Sequence, residues 1–226
     1  MGKVIIQGDT TKRPITLMGK EAGVCCDADF SDAQKNYKRG VKCLEDNHGR
    51  VAEYPQVYIV LDGYSARVIR EFYTHVGGAP TRLQASTRYI DYESGLDYVI
   101  PPSIEKISSA VGLYENTMEE IARIMRVLEG RGVPREDCAM LLPLGMTTRI
   151  VVRTNARNLI DMSHQRMCSR AYWEFRELMN DICQALSEYS DEWDYIVKNY
   201  FKPKCEVYGH CTERKSCGRK PKGNKH

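Results

Sequence analysis

Short runs of β-branched and aromatic residues alternate in this chain with longer stretches whose apolar positions recur at helical spacing. Val4-Ile5-Ile6 reads as a short strand, and residues 22 to 30 as a Cys-containing connection. Ser31-Asp32-Ala33-Gln34 is a capping-box pattern. It opens a helix with Ala33, Tyr37, Val41 and Leu44 on its apolar face, ending near Asn47-His48-Gly49. Val57-Tyr58-Ile59-Val60-Leu61 is a β-rich run, followed by Gly63 and a helix over about 65 to 75. From Ile104 to Gly130 the pattern is helical, in two pieces broken near Gly112, with Met118, Ile121, Ile124, Met125 and Leu128 facing inward. Val133-Pro134-Arg135-Glu136-Asp137 opens a short helix, since proline is tolerated in a first turn. Leu141-Leu142-Pro143-Leu144 leads into a strand over 147 to 154. Asn155 then caps a helix to about Gln165, and Ser169 caps a longer one to Glu188. Helices flanking a few strands that need not alternate with them give an α+β fold without internal repeats.

Composition narrows this picture. A chain of 226 residues that is 42% hydrophobic can bury one substantial core, so we read one domain over 1 to 201 and a tail over 202 to 226. No segment approaches the roughly 18 unbroken apolar residues of a membrane span. The opening Met-Gly-Lys-Val-Ile-Ile-Gln has too short an apolar run for a signal peptide, so a cytoplasmic location without membrane partners is expected. Nine scattered cysteines, an odd number, favour reduced thiols over a disulfide framework. The net charge of +3 divides unevenly. Residues 202 to 226 hold eight Lys/Arg and two Asp/Glu, leaving 25 basic and 28 acidic residues for the rest, so the tail is +6 and the body −3. The body is therefore no nucleic-acid binder by charge, and only the tail could hold polyanions weakly. In that tail Cys205, Cys211 and Cys217 recur every six residues with His210 beside the middle one. Three thiolates and an imidazole could reach one tetrahedral zinc, although the spacing is unlike the usual Cys-x-x-Cys knuckle. The competing reading is a basic tail with incidental thiols and no metal.

The densest chemistry lies at Thr81-Arg82-Leu83-Gln84-Ala85-Ser86-Thr87-Arg88-Tyr89, behind Gly77-Gly78-Ala79-Pro80, which cannot continue a helix. Two guanidiniums, an amide and several hydroxyls on a loop or strand entry make an anion site. Arg offers a planar fork to phosphate, and hydroxyls and backbone amides fill the remaining acceptors.

From here the residues carry a resemblance to the flavin-dependent thymidylate synthases. Their signature Arg-His-Arg-x-x-Ser-x-Asn-Glu-x-Ser-x-Arg-Tyr and following Tyr-Ile-Pro are similar to Gln84-Ala85-Ser86-Thr87-Arg88-Tyr89 and Tyr98-Val99-Ile100-Pro101. His48-Gly49-Arg50-Val51-Ala52-Glu53-Tyr54, a strand and Gly63-Tyr64-Ser65 precede them in the family's order. Leu142-Pro143-Leu144, Asn155-Ala156-Arg157-Asn158-Leu159 and Tyr172-Trp173-Glu174-Phe175-Arg176 follow. The match covers about residues 20 to 200.

The resemblance implies a small, mostly antiparallel sheet packed with several helices. It also implies reductive methylation of dUMP to dTMP with FAD, NADPH and methylenetetrahydrofolate, in a homotetramer with shared active sites. Residue by residue it places Glu71, Gln84, Ser86, Thr87, Arg88 and Arg166 at the dUMP, with Ser86 and Arg166 nearest the chemistry. His75, Arg82, Asn155, Arg157 and Asp161 fall at the flavin. Such an enzyme leaves the hard chemistry to its cofactor and needs no protein nucleophile. The flavin-free synthases use a Cys in a Pro-Cys-His setting, a tripeptide absent here, and Cys138, Cys168 and Cys183 read as small core residues.

This chain also departs from the family. Thr74-His75-Val76 stands where the family has Arg-His-Arg, Gln84 replaces a Glu, Ala139 an Arg, and Tyr54 a His. Arg82 is a candidate to return one guanidinium to the flavin. A second reading therefore stays open, a family relative that binds flavin or nucleotide and either acts on another pyrimidine nucleotide or is non-catalytic.

Overall fold

The computed structural model describes residues 2–92 and 94–223. Its elements run β1 (Lys3–Ile6), α1 (Pro14–Cys25), α2 (Ala33–Glu45), β2 (Gln56–Ser65), α3 (Ala66–Phe72), β3 (Thr81–Gln84), α4 (Pro102–Glu105), α5 (Ser108–Gly130), α6 (Arg135–Cys138), β4 (Thr147–Asn155), α7 (Ala156–Arg166), α8 (Trp173–Tyr189), α9 (Asp191–Tyr200) and α10 (Lys204–Tyr208), with 3-10 turns at Gly49–Glu53 and Ala139–Leu141. No helix among them is long and apolar enough to cross a membrane.

The strands make one sheet in the order β1-β2-β4-β3. Its neighbours are antiparallel. The amides of Gln7 and Thr11 donate to the carbonyls of Tyr58 and Gln56, those of Ala66 and Ala156 to Met146 and Pro55, and that of Ala85 to Arg149, while Arg153 reaches Thr81. Numbers rise on one strand as they fall on the next, which is the antiparallel register. Period-2 alternation buries Val57, Ile59 and Leu61 on β2, and Thr148, Ile150, Val152 and Thr154 on β4. The fold is α+β, as its pattern implied.

The chain divides into two compact units, Met1–Lys3, Leu61–Tyr73 and Leu83–Ile150 in one, and Val4–Val60, Thr74–Arg82 and Val151–His226 in the other. In the first, α5 buries Met118, Ala122 and Met125, and α3 buries Val68, Ile69 and Phe72. Ser65 caps α3, its hydroxyl accepting from the Val68 amide at 3.1 Å. The expected break at Gly112 does not occur. Space around Gly112 is open, and a 23-residue helix absorbs its low propensity, whereas Ile107 is extended and separates α4 from α5. Ile124 turns outward rather than inward and is 37% exposed.

In the second unit, α1 and α2 pack backbone to backbone. A Cβ on Gly19 would lie 1.8 Å from the Asn36 carbonyl oxygen, and one on Gly40 would lie 2.0 Å from that of Ile15. Helix α1 takes residues 22 to 25, which the sequence reading gave to a connection. The cap of α2 is Asp32, whose carboxylate accepts from the amides of Gln34 and Lys35, and not Ser31, which bonds Asp29. The buried face of α2 is Asn36, Gly40 and Leu44, shifted from the expected one by the close glycine crossing. Ser169 does not cap α8 either. It sits in a turn closed by the Ala171 amide on the Cys168 carbonyl, and α8 starts at Trp173 without a side-chain cap. Its inner face, Phe175, Leu178, Met179, Ile182 and Leu186, joins Leu159 and Met162 of α7 and Trp193 and Ile196 of α9 among the fully buried side chains.

Candidate functional site

Within the first unit, β3 carries Gln84 to the head of a tight turn. Ser86 organises that turn, since its carbonyl accepts the amides of Tyr89 at 3.0 Å and Ile90 at 3.2 Å, and its hydroxyl accepts the Arg88 amide at 3.4 Å. Thr87 is half-buried beside it. Gln84 Nε2 donates to Thr148 Oγ1 at 3.3 Å. The Arg88 guanidinium meets Glu136 Oε2 at 2.8 Å, with both side chains more than half exposed. That pairing is weak in water and easily exchanged for a better anion. Ala139, where the family has an arginine, lies in the 3-10 turn directly after the helix that bears Glu136. Glu71 occupies the last turn of α3.

Within the second unit, sharp backbone leads into the start of β3. Gly78 has φ +69°, and a Cβ there would sit 2.1 Å from the Asn155 amide nitrogen, so only glycine lets this loop lie on the side chain. Asn155 is itself buried and spends its carbonyl oxygen on the Asn158 amide at 2.9 Å, capping α7. Beyond this cap, α7 ends at Arg166. Its Nε donates to His75 Nε2 at 2.9 Å, and its guanidinium stands 4.5 Å from the centre of the Phe175 ring. Phe175 also meets the His75 ring edge to face at 5.6 Å between centroids. Arg82 donates to the His75 backbone carbonyl. Burial first, then the charges of Arg166 and Arg82, hold the imidazole pKa down at about 4. His75 is thus neutral and, because its Nε2 accepts, carries its proton on Nδ1.

The structure therefore gathers His75, Arg82 and Arg166 into one cluster around the imidazole. Arg157 and Asp161 form another group. They pair at 3.6 Å across one turn of α7 and line a cavity of about 80 Å³ with Asn47, His48, Gly49 and His164. A Cβ on Gly49 would lie 1.8 Å from the Arg157 guanidinium, so the absence of a side chain there seats the cation. Two partners escaped the sequence reading. Glu136 was visible only as part of a helix opening and Phe175 only as part of a motif. An Arg-selective reading would have searched for an aromatic face and a carboxylate for each guanidinium.

The tail is folded along its described length, and residues 224 to 226 of the expected extension lie outside the described residues. No three His, Cys, Asp or Glu side chains gather as a metal-ligand set among the described residues. Cys205, His210, Cys211 and Cys217 are thus not brought to one point, and the zinc reading finds no ligand set. Cys211 is buried, with its amide on the Pro221 carbonyl at 2.7 Å, whereas the Cys217 thiol is held below its ordinary pKa, chiefly by a hydrogen bond with Ser169.

Residues 9–190 match the family model described as thymidylate synthase complementing protein. The chain is 30% identical over 188 residues to a flavin-dependent thymidylate synthase of Nitratidesulfovibrio vulgaris, covering 79% of this chain and 74% of that one. It is 29% identical over 187 residues to one of Pyrococcus furiosus, covering 81% and 75%. Among solved structures it is similar to the flavin-dependent thymidylate synthase of Helicobacter pylori complexed with FAD and dUMP, with a TM-score of 0.67 and 17% identity over 88% of this chain and all of that one.

Proposed function

This chain belongs to the thymidylate synthase complementing protein family, and from that premise we propose that it is a flavin-dependent thymidylate synthase, a cytoplasmic homotetramer with shared sites that reductively methylates dUMP to dTMP. The observation that carries this reading is the His75, Arg82 and Arg166 cluster, a neutral ring between two permanent cations beside an aromatic face.

These residues fit an anionic dinucleotide. Arg82 and Arg157 supply charge for a pyrophosphate, Gly49 and Gly78 leave the space that a Cβ would fill, and the Nδ1 proton of His75 is a donor beside them. We assign FAD to His75, Arg82, Asn155, Arg157 and Asp161. FAD held there would supply hydride and methylene-transfer chemistry, with NADPH as reductant and methylenetetrahydrofolate as carbon donor. The protein's part is to bind and polarise. Arg88, Ser86, Thr87 and Gln84, with Glu71, are assigned to dUMP. Arg166 is assigned to a uracil carbonyl, where a fixed cation stabilises negative charge developing on the ring.

The test titrates FAD-loaded protein with dUMP and follows the flavin absorbance. Charge-assisted bonds are worth about 1.5 to 3 kcal/mol each, so Arg88→Ala and Arg166→Ala should each weaken dUMP by roughly ten- to a hundredfold. Arg88→Lys should fail nearly as badly, because an ammonium cannot reproduce a two-pronged contact. Arg82→Ala should lose FAD first. Unchanged dUMP affinity in both Arg88→Ala and Arg166→Ala would sink the assignment. Thr74 and Ala139, which remove cations from the family pattern, favour as the second reading an enzyme for another pyrimidine nucleotide. Complementation of a thymidine auxotroph separates the two.

A further inference from the structure

The family match ends at residue 190, yet a basic concavity of the second unit is built mainly from residues beyond it. A cavity of about 400 Å³ opens between the end of α7 and the folded tail. Arg166, Arg170, Lys204, Lys215, Arg219 and Lys220 line it against one carboxylate, that of Glu213. His164, also in its wall, is held below the ordinary imidazole pKa range, first by burial, and adds no charge near neutral pH. The named wall thus carries six cations and one anion.

Those cations do not splay apart on a loose chain. The Cys211 amide bonds the Pro221 carbonyl at 2.7 Å, the Gly223 amide returns to the Cys211 carbonyl at 3.1 Å, and Cys211 and Lys222 form a parallel bridge. The intervening segment is tied across its middle by Lys222 Nζ on the Arg214 carbonyl at 3.3 Å and by the Gly218 amide on Ser216 Oγ at 3.1 Å. A hydrogen bond between Cys217 and Ser169 fastens it to the connection after α7. A closed loop of this kind holds Lys215, Arg219 and Lys220 in one place. Gathering like charges into a concave wall is unfavourable, and a carboxylate outside it, Glu206 at 3.6 Å, offsets Arg219. An anion seated in the cavity relieves that repulsion, and the volume lies within the usual range for a small-molecule pocket, about 300 to 1,000 Å³.

We propose that the tail and the end of α7 form a binding pocket for a small polyanion, a ligand bearing two or more phosphate or carboxylate groups. Two ligand sources share this chemistry, and the probes separate them. Inorganic tripolyphosphate represents the phosphates and a tripeptide of glutamate the carboxylates.

Full-length FAD-loaded protein is titrated with each probe by calorimetry at fixed salt, with no nucleotide or folate present. The readout is thus independent of dTMP formation. Saturable one-site binding of at least one probe is expected, and the tighter probe identifies the source. Lys215→Ser and Arg170→Ser, both at exposed positions outside the catalytic machinery, should each weaken it at least fivefold. The control is Arg214→Ser, which removes the same charge from the same loop at a position that does not line the cavity, and affinity should change less than twofold. Equal losses in Arg214→Ser and Lys215→Ser would reduce the effect to diffuse attraction by a basic tail and overturn the pocket. Absence of saturable binding of either probe up to millimolar concentration would overturn it as well. Unchanged flavin content and melting temperature in the variants certify their folds.

Discussion

His75 shows how one residue's chemistry is set by what lies around it. Its imidazole is pushed down to about 4 by burial and by Arg166 and Arg82, so a group that titrates near 6.5 when exposed stays neutral in the folded protein. Between about pH 6.5 and 4 the unfolded chain binds a proton that the native chain refuses. The stability contribution is therefore complete above 6.5 and is lost as pH falls through that window. At pH 5 the loss attributable to this ring is about 1 to 2 kcal/mol, after allowing for partial solvation. His75→Gln cannot titrate, so the drop in urea-unfolding free energy from pH 7 to pH 5 should shrink by that amount. An identical drop in both proteins would show that the ring is not desolvated. The sequence named His75 and Arg166 through a resemblance, but not their contact, because 91 positions separate them. Arg88 and Glu136 escaped in the same way. A side-chain pair distant in sequence has no periodicity to announce it.

At the scale of elements, legibility followed the strength of local signals. Strands β2 and β4 and helices α3 and α7 carry alternation or a capping side chain, and all four were read within a few residues of their ends. Helix α1 was missed, although Pro14 at its first turn and Ile15, Met18, Gly19 and Ala22 on its buried face mark it. Gly19 and Gly23 lower its intrinsic propensity, and what Gly19 gives in return, the near contact with α2, is tertiary. That contact makes a contrast between glycines informative. Gly40→Ala would drive a methyl against the Ile15 carbonyl, a backbone atom, and overpacking of this sort costs about 1 to 3 kcal/mol. A fall in melting temperature of roughly 3 to 10 °C is expected for a chain of this size. Gly112→Ala meets nothing within 4 Å in the second turn of α5 and should stabilise by about 0.5 to 1 kcal/mol. Differential scanning calorimetry on the two variants checks both signs, and a tolerated Gly40→Ala would mean that the two helices can slide apart at little cost.

For the molecule as a whole, the α+β class was legible, but the strand order β1-β2-β4-β3 was not. The β2 to β4 pairing closes over more than eighty residues, and antiparallel pairing leaves no sequence mark of its partner. Nor does hydropathy say which apolar residues are left uncovered by a single chain. In the first unit these are numerous: Leu83 and Leu113 are each 71% exposed, Met140 is 86% exposed, and Leu144 is 52% exposed. The 3-10 turn bearing Met140 packs on α5, which bears Leu113, so exposed apolar residues sit on neighbouring elements of one unit. Exposed apolar residues in such number mark association, and identical chains associate most readily through closed symmetry. Light scattering on the eluting protein should give about four times the 25.9 kDa of one chain. Leu113→Asp combined with Met140→Asp places two charges on that surface without touching a buried side chain. The mass should fall to a dimer or monomer while the far-ultraviolet circular dichroism stays unchanged. Because the proposed sites are shared between chains, dTMP formation should fall with the mass and recover partially as protein concentration rises. A wild-type mass of one chain, or full activity in a monomeric double variant, would show that each chain carries a complete site.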